Sequence, residues 1–310
     1  MLVLIFSGLL VLFSGLLDPL NNQIEQQILL QLRLPLVLTA CLVGAALSVS
    51  SASLQVLLHN PLADPGIIGI TSGASLCAAL FLLMGSGLSP DIIQYLLPLS
   101  CFVGAILSTV LIFVVARRMA ANNASVILAG IAISTISGAI IAWLHFFSDA
   151  QSMRNLTFWL MGSLHQTDWP ILYFATPLLA VLIGYLIKQG RMLNWYYFGE
   201  NSAQLAGLDV NKFQSRMLLV CAISVGAAVS LAGSIAFVGL LVPHLLRNFC
   251  GHDNRFILPA SAMLGACLLL WVELFTRGFM AISLPVSMIT ATLGGPIFLY
   301  SVARLGGRNS

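Results

Sequence analysis

Apolar residues fall along this 310-residue chain in about ten long runs, near 2–17, 34–54, 67–86, 93–116, 124–147, 171–187, 214–232, 235–250, 257–274 and 285–303. A helix needs roughly 20 such residues to cross about 30 Å of hydrocarbon, so each run reads as a membrane span. The first and sixth are short and Pro243 interrupts the eighth; nine or eleven spans stay open on the pattern alone. No soluble domain fits between the runs. The longest inner connection is about Gln189–Phe213, and the longest outer stretches are about 18–33 and 148–170. The latter holds Thr157-Phe158-Trp159-Leu160-Met161-Gly162, too short to span and aromatic enough to lie at the membrane surface. The pattern predicts an all-α polytopic membrane protein, one domain over residues 1–310.

Composition sharpens this. Hydrophobic residues make up 59% of the chain and charged ones 7%, against about 25% charged in soluble domains. So little charge cannot cover a water-facing surface, which excludes an ordinary cytosolic enzyme, a disordered chain and a nucleic-acid binder. Lysine and arginine are retained on the cytoplasmic side. With ten spans and the N-terminus inside, the inner segments hold Arg117, Arg118, Lys188, Arg191, Lys212, Arg216, Arg247, Arg255, Arg304 and Arg308, and the outer ones only Arg33, Arg154 and Arg277. Both termini are therefore placed in the cytoplasm. The run Leu2–Leu17 has no basic residue before it, unlike a secretory signal, and is read as a retained first span. The six cysteines are scattered singly, with no CxxC to suggest a disulfide framework or a zinc site.

Small residues recur at helical spacing in the spans: Gly44 with Ser48, Ser134 with Gly138, Gly226 with Ser230. Such pairs let helix backbones approach closely, and simple packing is the first reading of each, a pathway lining the second. Ionisable residues inside spans mark relays in ion-driven carriers. The candidates here, His145, Glu273 and Arg277, lie near outer ends, which argues against an ion-coupled secondary transporter; sodium sites built of carbonyls and hydroxyls stay open. The five histidines fall in five segments, with no HExxH or GxSxG, so no catalytic grouping emerges. The two lysines, Lys188 and Lys212, are outside any GxxxxGK[ST]; a nucleotide that drives transport belongs to a separate subunit.

Three segments are neither plain span nor plain loop. The first runs from Arg33-Leu34-Pro35 to His59-Asn60-Pro61-Leu62-Ala63-Asp64-Pro65-Gly66 and Thr71-Ser72-Gly73-Ala74. Two prolines four apart stop one helix and aim the next, while Asn60 and Asp64 can cap freed N–H groups, making a rigid elbow at the cytoplasmic mouth. The second is Phe198 to Val210, where a short helix ended by Gly207 and another begun at Asp209 form two short helices outside the bilayer, either a surface for another protein or a solvated connector. The third is Gly233 to His244 with the closing Thr290-Ala291-Thr292-Leu293-Gly294-Gly295-Pro296.

In order, RLP, NPLADPG, TSGA, the GE…A..LG loop, AFVGLLVPH and TATLGGP resemble the FecCD-type permeases, membrane subunits of ATP-driven importers of iron-siderophores, haem and cobalamin. The likeness covers about residues 33–300. It implies ten spans, with spans two to five and seven to ten related as inverted repeats, in a homodimer in the inner (plasma) membrane. It implies two ATPase subunits below, which use ATP and Mg while this chain binds no cofactor or metal, and a periplasmic or lipid-anchored binding protein above.

By the same likeness, residues 189–213 are the coupling loop, with Glu200, Ser202, Ala203, Leu205, Gly207 and Leu208 docking on the ATPase. Asn60 and Leu62, with Asn123 and Ala124, form the cytoplasmic gate, and the fifth and tenth spans line the pathway. Arg33 and Arg277 meet acidic residues of the binding protein, steering its docking. Relatives often carry a second arginine where Leu36 stands here. The expected cargo is an iron chelate, siderophore or haem, with cobalamin as the alternative.

Overall fold

The computed structural model describes residues 2–14, 23–66, 68–84, 89–118, 123–279 and 284–306. Asp18, Ser283, Arg308, the end of the first run and the loop before Asn123 lie outside these, as do the side chains of Arg117, Asn123 and Arg304. All ten expected spans are helical: α1 (Leu2–Phe13), α3 (Leu34–Leu57), α4 (Ile70–Met84), α5 (Pro90–Arg118), α6 (Asn123–Phe147), α8 (Trp169–Lys188), α11 (Val210–Ala232), α12 (Val238–Cys250), α13 (Asn254–Phe279) and α14 (Val286–Gly306). Between them lie α2 (Gln23–Gln27), α7 (Ala150–Leu160), α9 (Gly190–Tyr197) and α10 (Glu200–Leu205). Among the described residues six helices are long and apolar enough to cross a membrane, and α1, α4, α12 and α14 supply shorter apolar runs.

Three local readings change. The sixth span is a full 20-residue helix, because Asp168 starts it and Pro170 in its first turn loses no hydrogen bond. Pro243 does not interrupt the eighth; it lies inside α12 as its sixth residue, and the helix continues through it to Cys250. The second span extends backward through α2 and a π-helical stretch, Ile28–Arg33, as one helix from residue 23 to 57. There the N–H of Leu34 reaches back five residues to Leu29, and Pro35, having no N–H, lets the ladder return to α geometry.

Helix α3 is the axis of the bundle: 20 of its 24 residues are buried, against α13, α11, α12 and α8. The close approach rests on Gly44. A Cβ there collides with the carbonyl of Gly265, and one on Gly265 collides with Ser48 and the Gly44 carbonyl. Lipid offers no hydrophobic drive between helices, so this van der Waals fit and small-residue contact hold them. The pair Gly226–Ser230 also packs, with Gly226 against Ala105 of α5. Gly138 faces open space instead, and only Ser134 of that pair engages, accepting from Ser72 Oγ at 3.0 Å.

Two halves are packed by one scheme. α3 lies on α12 and α13, and α11 on α4 and α5; α4 contacts α5 and α6, and α12 contacts α13 and α14. Each of these contacts has its counterpart in the other half, as related repeats require. The breaks correspond too. After α3 the chain turns through His59 (φ +47), and after α11 it unwinds from Gly233 (φ +70) to Phe237 (φ +69). Non-glycine residues rarely adopt such angles. The groups freed by the second break are satisfied across elements: Ser163 N–H donates to Ala232 O (2.9 Å), Ser287 Oγ to Ser234 O (2.6 Å), and Ala236 N–H to Ser287 Oγ (3.3 Å). Irregular backbone at a membrane protein's end is tolerated on those terms.

Candidate functional site

Arg247 bonds Asn254 while Arg255 pairs with the adjacent Asp253, and Arg33 lies near Arg277, so these two pairs assigned by charge mark two ends. At the inner end the elbow is built as its sequence implies. Asn60 Oδ1 accepts from Leu62 N–H at 2.9 Å, and Asp64 Oδ2 from Gly66 N–H at 3.0 Å, while Ser51 Oγ donates to Asp64 Oδ1 at 3.3 Å. Gly239 of α12 packs so closely on Ser51 and Asp64 that no side chain fits there. Burial pushes the Asp64 carboxyl above the usual range, with the bonds from Gly66 and Ser51 working against it.

The segment Phe198 to Val210, expected to couple to the ATPase, holds one short exposed helix, α10, not two. Asp209 caps the long α11, accepting from Lys212 N–H at 3.2 Å, so the helix begun there is a span. The second short helix precedes α10 and is α9. Gly207, at φ +87, closes α10 as a left-handed residue must. Among the six residues expected to face the ATPase, Ala203 is fully buried and Leu208 half-buried, whereas Glu200, Ser202, Leu205 and Gly207 are exposed. Leu205 is 91% exposed.

Sequence reasoning missed what ties this helix to the bundle. Tyr196, wholly buried at the end of α9, donates from its hydroxyl to Glu200 Oε1 at 3.1 Å, and its ring lies 5.2 Å from that of His59 in the elbow. A second route runs through amides. Asn194 Oδ1 accepts from Asn254 N–H at 2.7 Å; Arg247 Nη2 donates to Asn254 Oδ1 at 3.0 Å and to Ala52 O of α3 at 3.1 Å. Asn194 Nδ2 also reaches Asp253 Oδ1 at 2.7 Å. Arg255 holds the Asp253 carboxyl well below the ordinary carboxylate range, with Asn194 adding to the effect. The only available signal was the i, i+4 spacing of Tyr196 and Glu200.

Of the residues expected to form the gate, Leu62 is 47% exposed and Ala124 is exposed in the first turn of α6. The structure joins α6 to the elbow deeper in, where Gly130 meets the backbone of Ile68.

At the outer end Arg33 and Arg277 lie close together but are already engaged. Arg33 Nη1 donates to Leu12 O and Ser14 O at 2.8 and 2.6 Å, and Arg277 Nη1 to Val11 O at 3.3 Å, so both cap the carbonyl end of α1. Arg277 Nε also pairs with Glu273 Oε1 at 2.7 Å, and His165 Nε2 lies 3.4 Å from the same oxygen. Glu273, with its side chain 3% exposed, is thus a buried partner and not a relay. His145 does not join them; it sits in the last turn of α6. Among the described residues no cluster of three or more His, Cys, Asp or Glu is arranged to hold a metal ion.

The two ends and the paired halves agree with the relatives of this chain. Its residues 1–304 match the FecCD transport family. It is 41% identical to the hemin transport system permease protein HmuU of Yersinia pestis, over 94% of this chain and 88% of that one. It is 40% identical to the vitamin B12 import system permease protein BtuC of Vibrio vulnificus, over 97% and 91%. A solved inward-facing conformation of a metal-chelate type ABC transporter superposes with a TM-score of 0.89 at 30% identity, covering 98% of this chain and 97% of that one. A more distant structure, PsaBC from Streptococcus pneumoniae, shares the fold alone, at 15% identity and a TM-score of 0.56. This chain belongs to the FecCD transport family and is a multi-pass membrane permease of the ABC type.

Proposed function

We propose that the chain works as a homodimer that carries an iron chelate, haem in the first instance, across the inner membrane. Two ATPase subunits consume ATP and Mg beneath it, and a binding protein delivers cargo from above. The observation that carries this reading is α10: a helix outside the spans with Leu205 bare to solvent, yet tied through Glu200 and Tyr196 to the elbow. An exposed leucine on a short polar helix fits a groove in a partner. Closure of the ATPase dimer would push this helix, and Tyr196 and Asn194 would pass the displacement to the elbow and to α3. Glu200, Ser202 and Leu205 carry the contact, with Gly207 and Leu208 setting the turn and Ala203 seating the helix. Asn60, Leu62, Asn123 and Ala124 form the inner gate. Arg33 and Arg277 present positive charge to the binding protein from a position fixed by α1.

Haem is preferred because a 41%-identical relative is named for hemin transport. Cobalamin is the second reading, supported by relatives at 39 and 40% identity named for vitamin B12 import. Reconstitution with the ATPase and binding proteins tests the assignment. ATP-dependent uptake of haem that survives an uncoupler and is not displaced by cobalamin is expected. Accumulation of solute by the chain alone would refute the coupling scheme.

A further inference from the structure

Between the elbow and the inner ends of α9 and α12 lies a cavity of about 470 Å³, within the roughly 300–1,000 Å³ typical of small-molecule sites. Its described walls include Gln55, His59, Asn60, Tyr197, Arg247 and His252, and none of them is acidic. The nearest carboxylate in sequence, Asp253, is tied to Arg255 and Asn194. Two groups at the cavity are left without partners. Gln55 is 5% exposed, and neither its amide oxygen nor its amide nitrogen is hydrogen-bonded; Arg247 spends Nη2 on Ala52 and Asn254 while Nη1 bonds nothing. Buried unpartnered donors carry a desolvation cost that an arriving anion relieves.

We infer that this inner-mouth cavity is a resting site for an iron porphyrin, one porphyrin carboxylate meeting Arg247 and Gln55 and the iron taking the imidazole of His252 in place of a bound water. The inference rests on the importer reading and deepens it. Imidazole and phenol are iron-porphyrin ligands, and the walls offer both: His252 lies 5.6 Å from Tyr197, centroid to centroid, and His59 lines the same cavity. Cobalamin fits less well, since its carboxylates are amidated and its metal already carries axial ligands. A site here would hold an apolar, membrane-seeking cargo until a cytoplasmic acceptor takes it.

The test uses the full chain in lipid nanodiscs, titrated with ferric protoporphyrin, metal-free protoporphyrin and cyanocobalamin, with empty nanodiscs as the blank. Saturable binding of both porphyrins is expected, with a shifted Soret band for the iron form. His252→Ala should abolish that shift while leaving metal-free porphyrin bound. Arg247→Gln should weaken both porphyrins about tenfold or more. Gln55→Leu should act in the same direction and serves if Arg247→Gln fails to fold. A Soret band unchanged by His252→Ala, undiminished binding in both Arg247→Gln and Gln55→Leu, or equal competition by cyanocobalamin overturns the site. ATP-driven uptake by the whole complex is measured alongside: intact haem uptake without porphyrin binding here removes the site alone, whereas lost uptake with binding intact removes the importer reading.

Discussion

The hydroxyl of buried Tyr196 donates to the carboxylate of Glu200 at 3.1 Å, joining the exposed helix α10 to a ring that packs against His59 of the elbow. Tyr196→Phe keeps the ring and removes the bond. Stability should fall by about 0.5–1.5 kcal/mol, the range for one hydrogen bond. Transport per ATP hydrolysed should fall more than stability does, measured in proteoliposomes containing the ATPase. Unchanged coupling would show that Tyr196 only packs.

Glu200→Arg with Leu205→Asp places new charge on the exposed face of α10. The spans should fold as before, since Leu205 is bare to solvent and Glu200 gives up one hydrogen bond, that from Tyr196, and co-purification of the ATPase should be lost. An intact complex with normal uptake would remove α10 from the interface.

For the outer arginines the structure changes the experiment. Arg277→Glu would leave Glu273 buried beside a second carboxylate, and removing one partner of a buried pair costs about 3–5 kcal/mol. Misfolding would then mimic lost docking. Arg33→Gln, and the double change Glu273→Gln with Arg277→Gln, remove charge without stranding it. Both should weaken capture of the binding protein at low salt, and wild-type affinity in both would count against these positions.

Packing at the centre gives a contrast between two glycines. Gly265→Ala drives a methyl into Ser48 and the Gly44 carbonyl and should cost about 1–3 kcal/mol, as overpacking does. Gly138→Ala meets nothing within 4 Å, and should be neutral or stabilising by up to about 1 kcal/mol through helix propensity. Thermal unfolding in detergent ranks them; the reverse order would contradict the α3–α13 contact.

Asp64 supplies a pH dependence. Its folded carboxyl titrates above the unfolded value because of burial, so its contribution to stability is fully present below the unfolded pKa and is lost as pH rises through the folded one. Asp64→Asn should therefore unfold at a higher temperature than the native chain near pH 8, and the gap should close toward pH 4. A gap that widens on acidification would reverse the assignment.

The span count and the sidedness followed from the sequence because both are one-dimensional. A run of about 20 apolar residues must cross the hydrocarbon, and arginine and lysine sort it by side. The elbow was legible for a similar reason, since Asn60 and Asp64 cap N–H groups only two residues away. The ordered motifs carried the family, and local turn chemistry placed Gly207 and Asp209 correctly.

What lay beyond reach was every feature that depends on a partner distant in the chain. Arg33 and Arg277 look like free outer charges until α1 brings its carbonyls to them across 19 to 266 residues. Gly138 and Gly44 read alike as small residues, and only the neighbouring helix decides that one is a contact and the other bare. The link from α9 through Asn254 and Arg247 to Ala52, and the cavity beside it, exist because four separated segments converge. Lipid fixes where the helices must be, while the close fit between them, which lipid does not dictate, decides what each polar side chain can do.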